Sequence, residues 1–121
     1  MSVRVLIVED HKVNRILLSS ILEKMGISSD LAENGEEALH KMDVVQYDLI
    51  LMDVFMPIMN GIECLSKIRN DSRTIISKTP VIAVTAKPET EGLNQFDAIV
   101  PKPIKLEVLQ AVINDFLTSP F

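Results

Sequence analysis

The chain switches repeatedly between short runs that are apolar at every position and longer stretches where apolar residues recur every three or four positions. The first such run, Val3 to Val8, is β-branched and aliphatic on both faces, which predicts a strand covered on both sides. Asp48 to Met52 and Pro80 to Val84 repeat that pattern, and Pro80 stands at the start of its strand, where a missing donor is tolerated. Asp30 to Ala32 and Ala98 to Val100 add two shorter strands. Between them, Val13, Ile16, Leu17, Ile21 and Met25 predict a helix with its apolar face in the core, ended by Gly26. Asn34-Gly35 turns the chain into a second helix carrying Ala38, Leu39 and Met42. Asn60 is the expected N-cap of a third helix, with Ile62, Leu65 and Ile68 inward, and Leu106, Leu109, Ile113 and Phe116 stripe the last one. From Lys87 to Phe96 the pattern weakens, and only a short or irregular fourth helix is expected there.

Five strands alternating with helices imply an α/β fold, a three-layer doubly wound parallel sheet, because parallel strands need crossover connections. At 121 residues the chain is expected to form a single domain, 1–121, with no attached output domain. A net charge of −5 and a pI near 4.9 argue against direct binding of nucleic acid or an anionic membrane. The single cysteine, Cys64, excludes an intramolecular disulfide and reads as a small apolar residue in the third helix. Without a leader or a membrane-length apolar run, a cytoplasmic location is expected.

The chemistry gathers after the apolar runs. The first strand ends in Glu9-Asp10, the third in Asp53, the fourth in Thr85 and the fifth in Lys102. In a parallel sheet these ends share one edge, where open α/β sheets place their ligand crevices. Three carboxylates together repel: a like-charge pair at 4 Å costs roughly 1 kcal/mol in water and about 4 kcal/mol at an effective dielectric of 20. An all-oxygen cluster of this kind selects a hard cation, Mg²⁺ or Mn²⁺, and Mg²⁺ commonly shares itself with a phosphate. Such a cation and Lys102 would keep Asp53 ionised as a nucleophile towards phosphorus, with Thr85 placed to hydrogen-bond a phosphoryl oxygen.

The segments LIVED (Leu6 to Asp10), LMDVFMPIMNG (Leu51 to Gly61), VIAVTA (Val81 to Ala86) and PKPI (Pro101 to Ile104) together resemble the response regulator receiver domain of two-component and phosphorelay signalling. The likeness runs from Val3 to Leu117 and implies a flavodoxin-like sheet of order 2-1-3-4-5. It implies that Asp53 accepts phosphate from a phosphohistidine on a histidine kinase or phosphotransfer protein. It implies that Asp10 and Asp53 ligate Mg²⁺ directly, Glu9 through water, and Phe55 through its backbone carbonyl. Lys102 would pair with Asp53 or its phosphate, the Ala86 backbone N–H would reach the phosphate, and the Lys102–Pro103 bond would be cis. Thr85 would be the switch hydroxyl that changes the surface of helix four, strand five and helix five for a downstream effector. By the same likeness the chain is a signalling domain that promotes its own phosphorylation and dephosphorylation. It would be no turnover enzyme, and a monomer or a weak or phosphorylation-dependent dimer.

Departures from the family pattern are informative. The usual aromatic residue three before the strand-five lysine is Ile99 here, and the segment from Thr85 to Lys102 is shorter by about one helical turn. Both predict a rearranged output surface. Phe55, two residues after Asp53, is expected to limit hydrolytic water, and Lys87, two after Thr85, to oppose it. VNR at Val13 to Arg15 resembles receivers of hybrid kinases and suggests docking on a phosphotransfer helix bundle through helix one. His11 and His40 read as solvated residues, and Met52, Met56 and Met59 as packing.

Three rivals fit less well. A haloacid-dehalogenase-like phosphotransferase would need an acid where Phe55 stands. A flavin carrier would not put Glu9-Asp10 against a phosphate. A receiver-like module that never takes phosphate would have no need of the full set Glu9, Asp10, Asp53, Thr85 and Lys102.

Overall fold

Strands that are apolar on both faces can be satisfied only between two layers of helix, and the computed structural model, which describes residues 3–117, builds that arrangement. β1 (Arg4–Val8), β3 (Leu49–Asp53) and β4 (Val81–Thr85) are buried almost throughout, while β2 (Ser28–Ala32) and β5 (Ala98–Pro101) form the more exposed edges. All pairings are parallel, in the order β2-β1-β3-β4-β5. This is the doubly wound, flavodoxin-like order that the resemblance implied.

The core lies in two layers. α1 (Lys12–Lys24) and α5 (Leu106–Leu117) cover one face, burying Leu18, Ile21, Leu22, Leu109 and Ile113 against Val5, Ile7, Leu49, Leu51 and Val84. α2 (Gly35–Val44) and α3 (Gly61–Arg69) cover the other, where Ala38, Cys64, Leu65 and Ile68 meet Leu6, Ile50 and Met52. Both of these helices start on an asparagine cap: Asn34 accepts from the Glu37 amide at 2.8 Å and Asn60 from the Glu63 amide at 2.9 Å. A cap of this kind is worth about 1 kcal/mol.

Several expectations shift. β2 begins two residues earlier than read, and Asp53 and Thr85 are the last residues of their strands rather than the first beyond them. A one-turn helix, α4 (Thr74–Ser77), precedes β4 where the sequence pattern suggested none. The crossover from β4 to β5 holds only a 3-10 turn, Leu93–Gln95, whose Leu93 and neighbouring Phe96 plug the core in place of a full helix. That short element agrees with the weak pattern from Lys87 to Phe96.

α1 is the clearest correction. Val13, Ile16 and Leu17, read as part of its core face, are 77 %, 54 % and 42 % exposed; Ile21 is buried as read, beside Leu18 and Leu22, which the reading left out. Two apolar stripes at helical spacing run along this helix, and only the one nearer its C-terminus lies over the sheet.

At the opposite, amino edge of the sheet, Arg69 braces three elements. Its guanidinium donates to the carbonyls of Ser77 and Thr79 at 3.1 and 2.8 Å and to the Asp97 carboxylate at 2.7 Å. Asp97 also accepts from the Val81 amide at 2.8 Å, so α3, α4, β4 and the start of β5 are tied together.

Candidate functional site

The sheet register brings the strand ends level: Val8 lies beside Met52, Asp53 beside Val84, and Thr85 beside Pro101. Glu9, Asp10 and Asp53 consequently meet at the carboxyl edge, each offering an oxygen within 4.8 Å of the others. Glu9 and Asp53 are buried. Lys102, arriving from beyond β5, puts its Nζ 2.8 Å from Glu9 Oε1 and 3.5 Å from Asp53 Oδ1. Its shorter contact is thus to Glu9, whereas the resemblance implied Asp53 or its phosphate.

The three carboxylates are held unequally. Glu9 has both oxygens engaged, Oε1 by Lys102 and Oε2 by the His11 amide at 3.1 Å. Asp53 Oδ1 accepts a long hydrogen bond, 3.4 Å, from the Phe55 amide. Asp10 Oδ1 is buried with no hydrogen-bond partner among the described residues. A buried acceptor left unsatisfied costs about 1–3 kcal/mol, more when charged, so this atom fits a site that takes a ligand.

Burial, reinforced by the charge of Glu9 and only partly offset by Lys102, pushes the Asp53 carboxyl up to about 7. Burial also works against the Lys102 ammonium, but its hydrogen bond to Glu9 and the charges of Asp53 and Glu9 outweigh that, and its pKa is raised. One ammonium facing three carboxylates leaves room for further positive charge. The donors are all oxygens and Asp10 Oδ1 is free, so the residues fit a hard divalent cation.

The loop after β3 is built to hold Asp53 still. A Cβ on Gly61 would lie 2.6 Å from the Asp53 carbonyl oxygen and 2.9 Å from the Val54 Cα, so only glycine lets α3 start this close to the strand end. The Gly61 amide donates to the Val54 carbonyl at 2.7 Å. Between them Ile58 takes φ +72°, a left-handed conformation that β-branched residues rarely adopt, inside a tight turn closed by the Met59 amide and the Pro57 carbonyl at 2.7 Å. Strain of this sort, about 1–3 kcal/mol, persists where the surroundings enforce it.

The profile of the response regulator receiver domain matches residues 5–114. The chain belongs to the response regulator receiver domain family. Members of this family are phosphoacceptor signalling domains of two-component systems and phosphorelays. The chain is 28 % identical to Histidine kinase 5 of Arabidopsis thaliana over 94 % of its own length, and it spans only 16 % of that kinase. Among solved structures it is similar to the receiver domain of the sensor histidine kinase PA1611 from Pseudomonas aeruginosa, which carries a magnesium ion in its active-site cleft. That match has a TM-score of 0.86 and 26 % identity, covering 98 % of this chain and 100 % of the other. It is also similar to the Saccharomyces cerevisiae Ssk1 receiver domain, solved with the phosphotransfer protein Ypd1, with a TM-score of 0.84 and 30 % identity over 95 % of this chain and 88 % of that one.

Within this receiver domain the remaining expected residues fall into two groups. Thr85 is buried, its hydroxyl accepting from the Lys87 amide at 3.1 Å, and its carbonyl accepts from the Lys102 amide at 2.8 Å. The Lys102–Pro103 peptide is cis, and Ala86 is exposed directly after Thr85. Phe55 is 51 % exposed, and the Lys87 ammonium stands 5.8 Å from the centre of its ring. Ile99 is the outlier: it lies beside the core residue Ala83 on the edge strand β5 but is 36 % exposed. His11 and His40 are exposed, Cys64 is buried, and Met52, Met56 and Met59 pack, as expected.

Sequence reasoning missed two residues here. Gly61 carried no signal beyond its place in a familiar segment. Arg15, noticed only as part of VNR, donates to the backbone carbonyls of both Glu9 and Asp10.

Proposed function

We propose that Asp53 is the phosphoacceptor of this receiver domain. An Asp53 carboxylate oxygen attacks the phosphorus of a phosphohistidine, the P–N bond breaks, and the imidazole leaves with the electron pair. Lys102 neutralises charge beside Asp53, and the Thr85 hydroxyl and the Ala86 backbone N–H accept the arriving phosphoryl group as donors. Asp10, Asp53 and the Phe55 carbonyl would hold Mg²⁺ or Mn²⁺, with Glu9 acting through water; the cation supplies positive charge that keeps Asp53 ionised and offsets the phosphoryl oxygens. The engagement of both Glu9 oxygens by Lys102 and His11 supports that outer role for Glu9.

The observation that carries this reading is the meeting of Asp53, Glu9 and Asp10 within 4.8 Å, beside an orphaned Asp10 oxygen. Wild-type protein incubated with Mg²⁺ and a small phosphodonor should gain one phosphoryl group by intact mass, and Asp53→Asn should gain none. No gain in the wild type, under conditions that preserve acyl phosphates, defeats the assignment.

The domain turns over no external substrate, and its phosphate is lost slowly by hydrolysis. The bulky, half-exposed Phe55 limits the approach of water to Asp53, and Lys87, held 5.8 Å from the centre of its ring, is engaged there rather than free to draw water in.

The kinase or phosphotransfer partner docks on α1. Its exposed stripe of Val13, Ile16 and Leu17 begins at the carboxyl edge, beside Glu9 and Asp10, and the similar Ssk1 receiver was solved with a phosphotransfer protein. Phosphorylation replaces the single charge of the carboxylate with a nearly dianionic phosphoryl group, a net gain of about one negative charge, which Thr85 relays to a downstream effector through β5 and α5. With only a 3-10 turn between β4 and β5, that output surface consists of Ile99, Leu106 and Val108, all exposed. The effector or second copy of the domain therefore engages a face different from the usual pairing of helices four and five. A phosphomimetic crystal form assembled through that usual pairing contradicts this.

A further inference from the structure

Arg15 sits in the first turn of α1, its side chain only 14 % exposed, and it faces backbone rather than solvent. Its Nη1 donates to the Glu9 carbonyl at 3.0 Å and to the Asp10 carbonyl at 2.9 Å, with the Glu33 carboxylate 3.9 Å away. Those two carbonyls belong to the peptides on either side of the Asp10 Cα. Glu9 needs no such help, because Lys102 and the His11 amide already fix its side chain. The Asp10 side chain has no comparable restraint: its Oδ1 is buried and without a hydrogen-bond partner among the described residues, so its place in the cluster depends strongly on its backbone.

We infer that Arg15 is a positioning residue for the cation site: it clamps the Glu9–Asp10 backbone so that the Asp10 carboxylate stays in the cluster. This rests on the reading of Glu9, Asp10 and Asp53 as cation-binding. The two physical roles open to Arg15 have opposite signs. As a bare positive charge near the site it weakens cation binding, and its removal strengthens it. As a clamp it pre-organises a ligand, and its removal weakens binding. Two simultaneous, charge-assisted hydrogen bonds from a largely covered guanidinium favour the clamp. Groups that orient a metal's ligands typically contribute 10–100-fold to its affinity.

The test is Mn²⁺ titration of the whole chain, followed by the EPR signal of free Mn²⁺, for wild type, Arg15→Met, Arg15→Lys, Glu33→Gln and Asp10→Asn. Arg15→Met removes the charge and the donors; Arg15→Lys keeps the charge on a shorter, differently shaped group. Both are expected to weaken binding by roughly 10-fold, while Glu33→Gln stays within about twofold and Asp10→Asn loses most of the affinity. Urea unfolding and amide NMR spectra without metal show which variants keep the fold, and Arg15→Lys carries the test if Arg15→Met does not. Mn²⁺ binding by folded Arg15→Met or Arg15→Lys as tight as wild type, or tighter, overturns the clamp; a lowered metal-free stability with unchanged affinity does the same. A wild type that binds no Mn²⁺ overturns the cation reading itself, and with it this inference.

Discussion

The ends of β1 and β3 and the crossover from β4 to β5 lie on the same sheet, yet they are built in opposite ways. At the first, Glu9 and Asp53 are buried, joined to the partly exposed Lys102 and backed by the fully buried strand β3. At the second, a 3-10 turn replaces a helix, and Ile99 is 36 % exposed on the edge strand. The contrast teaches that accepting a phosphoryl group and reporting it are separate structural problems. The reaction demands fixed geometry among a few atoms, so its residues cannot drift. The report needs only a surface that changes, and many surfaces can do that.

The comparison can be broken first at Lys102. Removing it leaves Glu9 buried and uncompensated, so Lys102→Met should lower the unfolding free energy in urea by about 3 kcal/mol. A loss under 1 kcal/mol would mean that the acid edge is less tightly coupled than its 2.8 Å contact implies. Next is Gly61→Ala, whose Cβ would press on the Asp53 carbonyl at 2.6 Å. A cost of about 1–3 kcal/mol is expected, together with slower phosphate uptake, measured by mass, because the strand end must move.

Asp53→Asn should act in the other direction. The folded-state carboxyl is raised to about 7 from 3.8, so between about pH 4 and pH 7 the folded protein holds a proton that the unfolded chain has released. Stability of the metal-free wild type therefore falls as pH rises through that window. Asp53→Asn, which cannot ionise, should match the wild type near pH 4 and exceed it by on the order of 2 kcal/mol above pH 7. Urea melts across that range in chelator test it; equal stability at pH 8 would show that the charge cluster is relieved in some other way.

Phe55→Asn opens the path to water and should shorten the acyl phosphate half-life several-fold without altering stability; an unchanged half-life removes Phe55 from that role. Smallest of all is Ile99→Thr, expected to shift stability by less than about 0.5 kcal/mol and to leave phosphate uptake as it is. A large effect there would erase the distinction between the two regions.

What was legible follows the same division. Glu9, Asp10, Asp53, Thr85 and Lys102 could be found because each follows a run of apolar residues, and parallel strands place such positions on one edge. The weak helix between Lys87 and Phe96 could be found because it has too few apolar residues for a stripe. α1 misled at Val13, Ile16 and Leu17 because they and Leu18 and Leu22 are all at helical spacing from Ile21, and only packing chooses between them. α4 is four residues long, shorter than any period that could announce it. The Arg15 and Gly61 contacts are made to backbone atoms, which leave no trace in side-chain pattern.

The brace formed by Arg69 and Asp97 gives the β4–β5 crossover the mechanics of a beam built into a wall at one end. Its lower end is fastened through Asp97 to α3, α4 and β4, while its upper end meets the site through Thr85 and the Lys87–Phe55 contact. A force applied at Thr85 bends such a beam most at its free tip and least at its root. Displacement on phosphorylation should therefore be greatest near Ala86 to Pro88 and fade towards Leu93 and Phe96, which stay seated in the core.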